Sequence, residues 1–326
     1  MLNFRPLKLD YQKDFNYYYQ LCPIKTADTS FINLWSWHDK YQSEVAFADN
    51  LCWLRFHQNG SYHYGTPLGD WNNIKWNNVL QRHFPKGFNF SGVPQTLAFI
   101  LADVYNDEIS LIGDRNNWEY IYNINELTNL FGTRFRNQRK LSNQFKQIYN
   151  YRFRFIKDKD IGLIMNFQDI WLQQKEPSLT DKPDLINENV AIERILNDWD
   201  ALSENLFAAI LEIDDNVVGY TIGEKLDEKM IVIHFEKSLY NIKGSYQAIN
   251  RITLENMGKY TFVNREQDLG ISGLRRAKME YNPTYFIKKY TVISNNHLEY
   301  KYSRYDENTP KVDFGELSEF DTHILN

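Results

Sequence analysis

The second half of the chain carries the tightest constraint, because its periodicities come in a fixed order. Residues 151–156, "YRFRFI", read as a strand. Two helical stretches follow, "IGLIMNFQDIWLQQK" and "ENVAIERILNDWDALS", separated by the Pro-containing "EPSLTDKPDLI". "LFAAILEIDDNVVGYTIGEKL" reads as a hairpin turned by Asp214, Asp215 and Asn216, and "KMIVIHFEKSL" as the next strand. The helix "GSYQAINRITLENMG" is closed by Gly258. The strand "YTFVN", a short helix within "GLRRAKMEY" and a last strand, "TYFIKKYTVI", complete the series.

Strand, two helices, three strands, helix, strand, helix, strand is the order of the GNAT acyltransferase fold. The first half gives a similar order: "FRPLKL" as a strand, "YQKDFNYYYQLC" and "SFINLWSWHDKYQ" as helices, then three short strands in "EVAFADN", "LCWLRFHQ" and "SYHYGTPLG". Helical stretches near 74–84 and 93–105, the strand "EISLIG", "YIYNINELTNLFG" and a long helix from Arg134 to Tyr149 follow. No residue-level repeat accompanies this architectural duplication. The 326 residues suit two domains of about 150 residues each. The expected fold is α/β, with two tandem GNAT-like domains at 1–150 and 151–310, each a mixed sheet flanked by helices, and an acidic tail at 311–326.

The net charge of −5 argues against a dedicated nucleic-acid coat. Two cysteines, Cys22 and Cys52, cannot build a disulfide framework, so a reducing compartment fits. The start, "MLNFRPLKLDYQKDF", has no apolar core of signal-peptide length. The most apolar stretch, Leu97 to Val104, is interrupted by Asp103 and is too short to span a bilayer. A cytoplasmic chain with no integral membrane segment is expected.

Three motifs resemble one bacterial family. "FVNREQDLG-x-x-GLR-x-AK-x-x-Y-x-P" supplies Asn264, Arg265, Glu266, Asp268, Gly270, Gly273, Leu274, Arg275, Lys278, Tyr281 and Pro283. "HFEK" supplies His234, Glu236 and Lys237, and a mid-chain helix supplies Gly132, Arg134, Phe135, Arg139, Asn143 and Phe145. Shorter echoes lie at Phe31, Asn33, Trp35 and Trp37. Together they are similar to proteins related to the C-terminal domain of phosphatidylglycerol lysyltransferase. The resemblance implies tandem GNAT-like domains and transfer of an aminoacyl group from aminoacyl-tRNA. The lysyltransferases carry a multi-helix membrane domain before this region and this sequence does not, which leaves the acceptor open between a small molecule and a cell-envelope precursor. A non-catalytic module holding a small ligand or a polyanion is the alternative.

On a regular strand Val232, His234 and Glu236 share one face and Ile231, Ile233 and Phe235 the other. An imidazole beside a carboxylate can take the proton of an attacking amine, which makes His234 and Glu236 the candidate catalytic pair. A structural network around His234 is the alternative, and no further ligand cluster supports a metal. In acyl-CoA-using GNATs the loop after this strand cradles a pyrophosphate. Here "NIKGSY" has Asn241 in place of Gln or Arg and Tyr246 in place of a small residue, so no acetyl-CoA or other cofactor is expected.

"TRFRNQRKLSNQFKQ" holds five basic residues and no acid. Arg136, Arg139, Lys140 and Lys146 cluster on one helical side, either as a solvated face or as a polyanion-binding face that Arg152 and Arg154 could extend. In the 264–283 segment, Gly270 and Gly273 permit a bend between two sets of charges. Arg265, Glu266 and Asp268 are expected to enter the cleft opposite His234 and Glu236, while Leu269, Ile271 and Leu274 pack beneath. With Asn264, Arg275, Lys278 and Tyr281 they form the candidate substrate site, unless they are an internal salt-bridge lattice.

Overall fold

The computed structural model describes residues 2–58, 60–174 and 182–295, so the acidic tail expected at 311–326 lies outside the described residues. Among them are fourteen strands: β1 (Arg5–Pro6), β2 (Glu44–Ala48), β3 (Leu51–Gln58), β4 (Ser61–Tyr64), β5 (Asn89–Pro94), β6 (Ile109–Gly113), β7 (Glu119–Asn123), β8 (Tyr151–Phe155), β9 (Leu206–Ile213), β10 (Asn216–Lys225), β11 (Met230–Ser238), β12 (Phe262–Asn264), β13 (Tyr285–Ile287) and β14 (Lys289–Ser294).

The strands form two seven-stranded mixed sheets. The first runs β1-β2-β3-β4-β5-β14-β6, and the second, read from the matching edge, β8-β9-β10-β11-β12-β7-β13. The two orders correspond position by position. Each sheet has one parallel pair, β4–β5 or β11–β12, and antiparallel neighbours elsewhere. A parallel pair needs a crossover, and the helices Trp76–His83 and Ser245–Glu255 lie in these two connections.

The sixth strand of each sheet comes from the other half of the chain. β7 leaves the first half to lie between β12 and β13, and β14 leaves the second half to lie between β5 and β6. The division expected at residue 150 therefore does not follow sheet membership. Nothing in local periodicity marks the exchange. "TYFIKKYTVI" alternates as one strand, yet the chain passes from one sheet to the other at Lys288. β7 and β5 were not expected as strands; β5, "NFSGVP", is weakened as a strand pattern by its Gly and Pro.

Glu119 and Lys289 open the two exchanged strands, and both are fully buried. Lys289 Nζ lies 2.5 Å from Glu119 Oε1 and 2.6 Å from Asp28 Oδ2. Glu119 also accepts from the Ala27 N–H and from Asn264 Nδ2. Burial opposes the Lys289 ammonium, but Asp28 and Glu119 hold its pKa above the ordinary lysine value.

Removing one partner of such a pair strands the other charge. Lys289→Met should destabilise the protein by about 3–5 kcal/mol, and adding Glu119→Gln should recover part of that loss. Urea unfolding of the two single variants and the double variant checks this. Additive losses would mean that the charges do not act as a pair.

Candidate functional site

β11 and β12 pair over three residues, ending at Val232↔Asn264. β11 then continues to Ser238 while β12 stops, so the two strands part. Within this splay β11 carries a bulge. Ile222 of β10 pairs with Phe235 and Gly223 with Ile233, which leaves His234 as the extra residue. A side chain at Gly223 would collide with the Val232 carbonyl and the Phe207 ring.

The bulge inverts the alternation beyond it. Val232 and Phe235 both enter the core shared with the first half, whereas Ile231 and Ile233 enter the core that includes Leu254 of the crossover helix. His234 thus points toward the first half, and Glu236 toward Asn250 of the crossover helix, 3.3 Å away. The shared face expected for His234 and Glu236 is not formed, because one inserted residue flips the parity of a strand.

Two ion pairs close the splay, one on each face. His234 Nδ1 is 2.7 Å from Glu266 Oε1, and its Nε2 is 3.2 Å from Glu224 Oε2. Arg265 Nη2 is 2.8 Å from Glu236 Oε1. Burial works against a charged His234, but its hydrogen bonds to Glu224 and Glu266 outweigh it and raise the pKa to about 9. Both ring nitrogens face carboxylates, an arrangement that favours the protonated ring. The general-base role expected for His234 would require one of these bonds to open. Burial raises the pKa of Glu236 against the opposing effects of Arg265 and Asn250.

Access is uneven. The side chains of His234, Glu224 and Glu236 are 3%, 6% and 8% exposed, against 22% for Glu266 and 20% for Arg265. Glu266 is therefore the most exposed carboxylate of this network. Its Oε1 also accepts from Asn33 Nδ2, 3.4 Å away and contributed by the first half.

The rest of the 264–281 segment divides into support and surface. Asp268 is fully buried and accepts from Arg275, Arg115, the Tyr120 hydroxyl and the Gly270 N–H. Burial raises its pKa, but these donors win and hold it well below the usual carboxylate range. Asp268 is thus the buried centre of a lattice whose arginines, Arg275 and Arg115, are about a third exposed. Lys278 Nζ donates to the carbonyls of Arg265 and Gln267, and the Tyr281 ring lies 5.4 Å from the Arg265 guanidinium. Asn264 accepts from the Glu266 N–H. Leu269, Ile271 and Leu274 do not pack beneath; they are exposed, because the Asp268 lattice supports the turn in their place.

The basic helix, Arg136–Ile148, is also partly consumed. Arg139 donates to the carbonyls of Leu130 and Gly132, and Lys146 pairs with Glu255 at 3.0 Å. Arg136 and Lys140 are exposed and unpartnered among the described residues. Arg152 and Arg154 are held by Glu212 and Asp160.

Sequence reasoning missed Glu224, Glu119, Lys289, Arg115 and Tyr120. A lone acid in the apolar strand "VVGYTIGEKL" was the available signal for Glu224. The other four come from strand exchange and had none.

Two mixed sheets with matching strand orders and splayed parallel pairs are the tandem GNAT-like arrangement of acyltransferase folds. The chain matches the C-terminal family of phosphatidylglycerol lysyltransferase over residues 19–293 and belongs to that family. A solved protein of unknown function from Bacteroides thetaiotaomicron is 26% identical, with a TM-score of 0.81 over 90% of this chain and 100% of that one. L-PGS from Bacillus licheniformis is 14% identical, with a TM-score of 0.60 over 90% and 93%. FemX is 9% identical, with a TM-score of 0.59 over 93% and 100%. No curated protein matches the sequence. Among the described residues no helix is long and apolar enough to cross a membrane, and no group of three or more His, Cys, Asp or Glu is placed to hold a metal ion.

The raised pKa of His234 gives stability a pH dependence of fixed sign. Its contribution is complete below the ordinary histidine value of about 6.5 and is lost as pH rises through about 9. Melting temperatures followed from pH 7 to above 9 should fall more steeply for the native protein than for His234→Gln. Parallel curves would show that His234 titrates alike in the folded and unfolded chains.

Proposed function

We propose that the protein is an aminoacyl- or acyltransferase whose donor site lies at the mouth of the β11–β12 splay, with Glu266 holding the ammonium of an aminoacyl ester. The observation that carries this is the Glu266 carboxylate. It is part-exposed, lies between the His234 ring and Asn33, and stands on a left-handed backbone with φ 56°. Strained backbone of this kind concentrates at ligand clamps. In the reaction the acceptor amine or hydroxyl attacks the ester carbonyl carbon and the bond to the donor's ribose oxygen breaks. The acceptor's proton ends on that departing oxygen. The protein's part is to orient the donor and to hold fixed charge beside it.

Aminoacyl-tRNA is the proposed donor and a small molecule or cell-envelope precursor the proposed acceptor. Incubating the protein with charged tRNAs and envelope precursors, and following the amino acid by mass spectrometry, tests the reading. Glu266→Gln should lower transfer about ten-fold or more, on the order of 1.4 kcal/mol. Donor binding without transfer to any acceptor would instead favour a ligand-binding module, which the two closing ion pairs and the burial of His234 also suit.

On the basic helix, Arg136 and Lys140 are the cations whose side chains are without a partner among the described residues, and they are proposed to meet a tRNA backbone. Replacing both by Ala should reduce the salt dependence of tRNA binding by a slope of about one per lost contact. An unchanged slope would return them to ordinary solvated positions.

Acetyl-CoA is not the proposed donor. No Cβ fits at Gly244 against the Leu141 carbonyl, so the basic helix is seated directly on the start of the crossover helix. The Tyr246 hydroxyl in the first turn of that helix accepts from Trp171 Nε1 at 3.0 Å. A pyrophosphate would have to displace both. Calorimetry should show no tight acetyl-CoA binding, and tight binding would overturn this choice of donor.

A further inference from the structure

The parallel pairs of the two sheets bend at equivalent points. In the first sheet β4 and β5 pair at Tyr64↔Phe90, and two residues further Gly92 has φ 68°. In the second the last pair is Val232↔Asn264, and two residues further Glu266 has φ 56°. Glycine takes this conformation without penalty, whereas another L-residue costs on the order of 1 kcal/mol. The first sheet uses the residue that suits the kink, and the second keeps a carboxylate there.

Four hydrogen bonds hold Glu266 in that conformation. Its N–H donates to Asn264 Oδ1 at 2.8 Å, and its carbonyl accepts from the Tyr120 N–H at 3.2 Å. Lys278 Nζ supplies the other two, to the Arg265 carbonyl at 2.5 Å and the Gln267 carbonyl at 2.6 Å, on either side of the kinked residue. The turn carrying Lys278 is itself tied down, since the Tyr122 hydroxyl donates to the Lys278 carbonyl at 2.8 Å.

We propose that Lys278 is a positioning residue: by holding both carbonyls that flank Glu266, it keeps this residue left-handed and aims its carboxylate at His234 and Asn33. The sequence placed Lys278 among groups that touch substrate, but the geometry points its ammonium at main chain. Burial lowers its pKa to about 8, with Glu266, Arg265, Asp268 and Glu119 as the charges around it and the Tyr120 ring 5.7 Å away.

The inference rests on Glu266 being the donor's anchor, but its readout is the ionisation of His234, so it can fail while transfer is found, or hold while transfer is not. Lys278→Met removes both hydrogen bonds and keeps most of the unbranched side chain. By NMR titration of the His234 ring nitrogens, this variant should show a His234 pKa lower by about one unit or more, as Glu266 drifts from Nδ1. Lys278→Arg, which restores the donors, should return the value toward about 9. An unchanged His234 pKa in folded Lys278→Met would overturn the proposal.

A second comparison covers the case in which Lys278→Met does not fold. In a Glu266→Gly background the kink needs no support, so adding Lys278→Met should lower the melting temperature far less than it does in the native sequence. A double variant that folds while Lys278→Met alone does not is the same result in stronger form. Equal losses in both backgrounds, or failure of the double variant to fold, would show that Lys278 serves the fold irrespective of residue 266 and would overturn the proposal.

Discussion

The buried contact between Glu119 and Lys289 stands where the two halves of the chain trade strands, and the rest of the molecule is arranged around that crossing. Each sheet is completed by a strand from the other half, so neither is whole without its partner. The pair marks the first residue of each traded strand, and Glu119 extends the contact to Ala27 in the first half and Asn264 in the second. A buried ion pair is a weak source of net stability, because desolvation offsets most of the attraction. Its effect here is on arrangement: any register that separated the two residues would leave an unpaired charge in the core.

The same crossing builds the site. β7 lies beside β12, and Tyr120 in β7 exchanges main-chain hydrogen bonds with Arg265 and Glu266 just past the end of β12. Strand exchange thus extends the sheet's hydrogen bonding into the segment that carries Arg265 and Glu266. Asn33 arrives from the first half beneath Glu266, so the site is composite although its motifs lie in the second half. The bulge at His234 supplies the remaining element. Without the extra residue, alternation would place His234 and Glu236 on one face; with it, one ion pair forms on each face of the splay.

An imidazole between two carboxylates is held toward its charged form, and fixed charges of this kind act by orientation and electrostatics. Asp268, His234 and Glu266 share one design: each is satisfied by several partners, so the most exposed carboxylate of the network sits in a frame of hydrogen bonds. That frame lets a glutamate occupy a backbone conformation that the matching point of the first sheet leaves to Gly92.

The sequence by itself determined the fold class and singled out the charged segment that lies beside the β11–β12 splay. Strand and helix periods depend on local burial, and their order in residues 151–293 was enough to indicate a GNAT-like architecture. The 264–283 motif was legible because its charges and glycines are adjacent in the chain. Only the tertiary structure decided which strands complete which sheet, since pairing between residues some 170 positions apart leaves no periodic trace. It also decided what the charges do. Asp268 and Glu266 are two residues apart and look alike in sequence. Buried Asp268 meets two arginines and a tyrosine, and part-exposed Glu266 meets His234, because a kink at residue 266 and a lattice at residue 268 send them in different directions. The bulge at His234 depends on how β10 lies against β11, a register that neither strand encodes alone, and it reversed the expected faces.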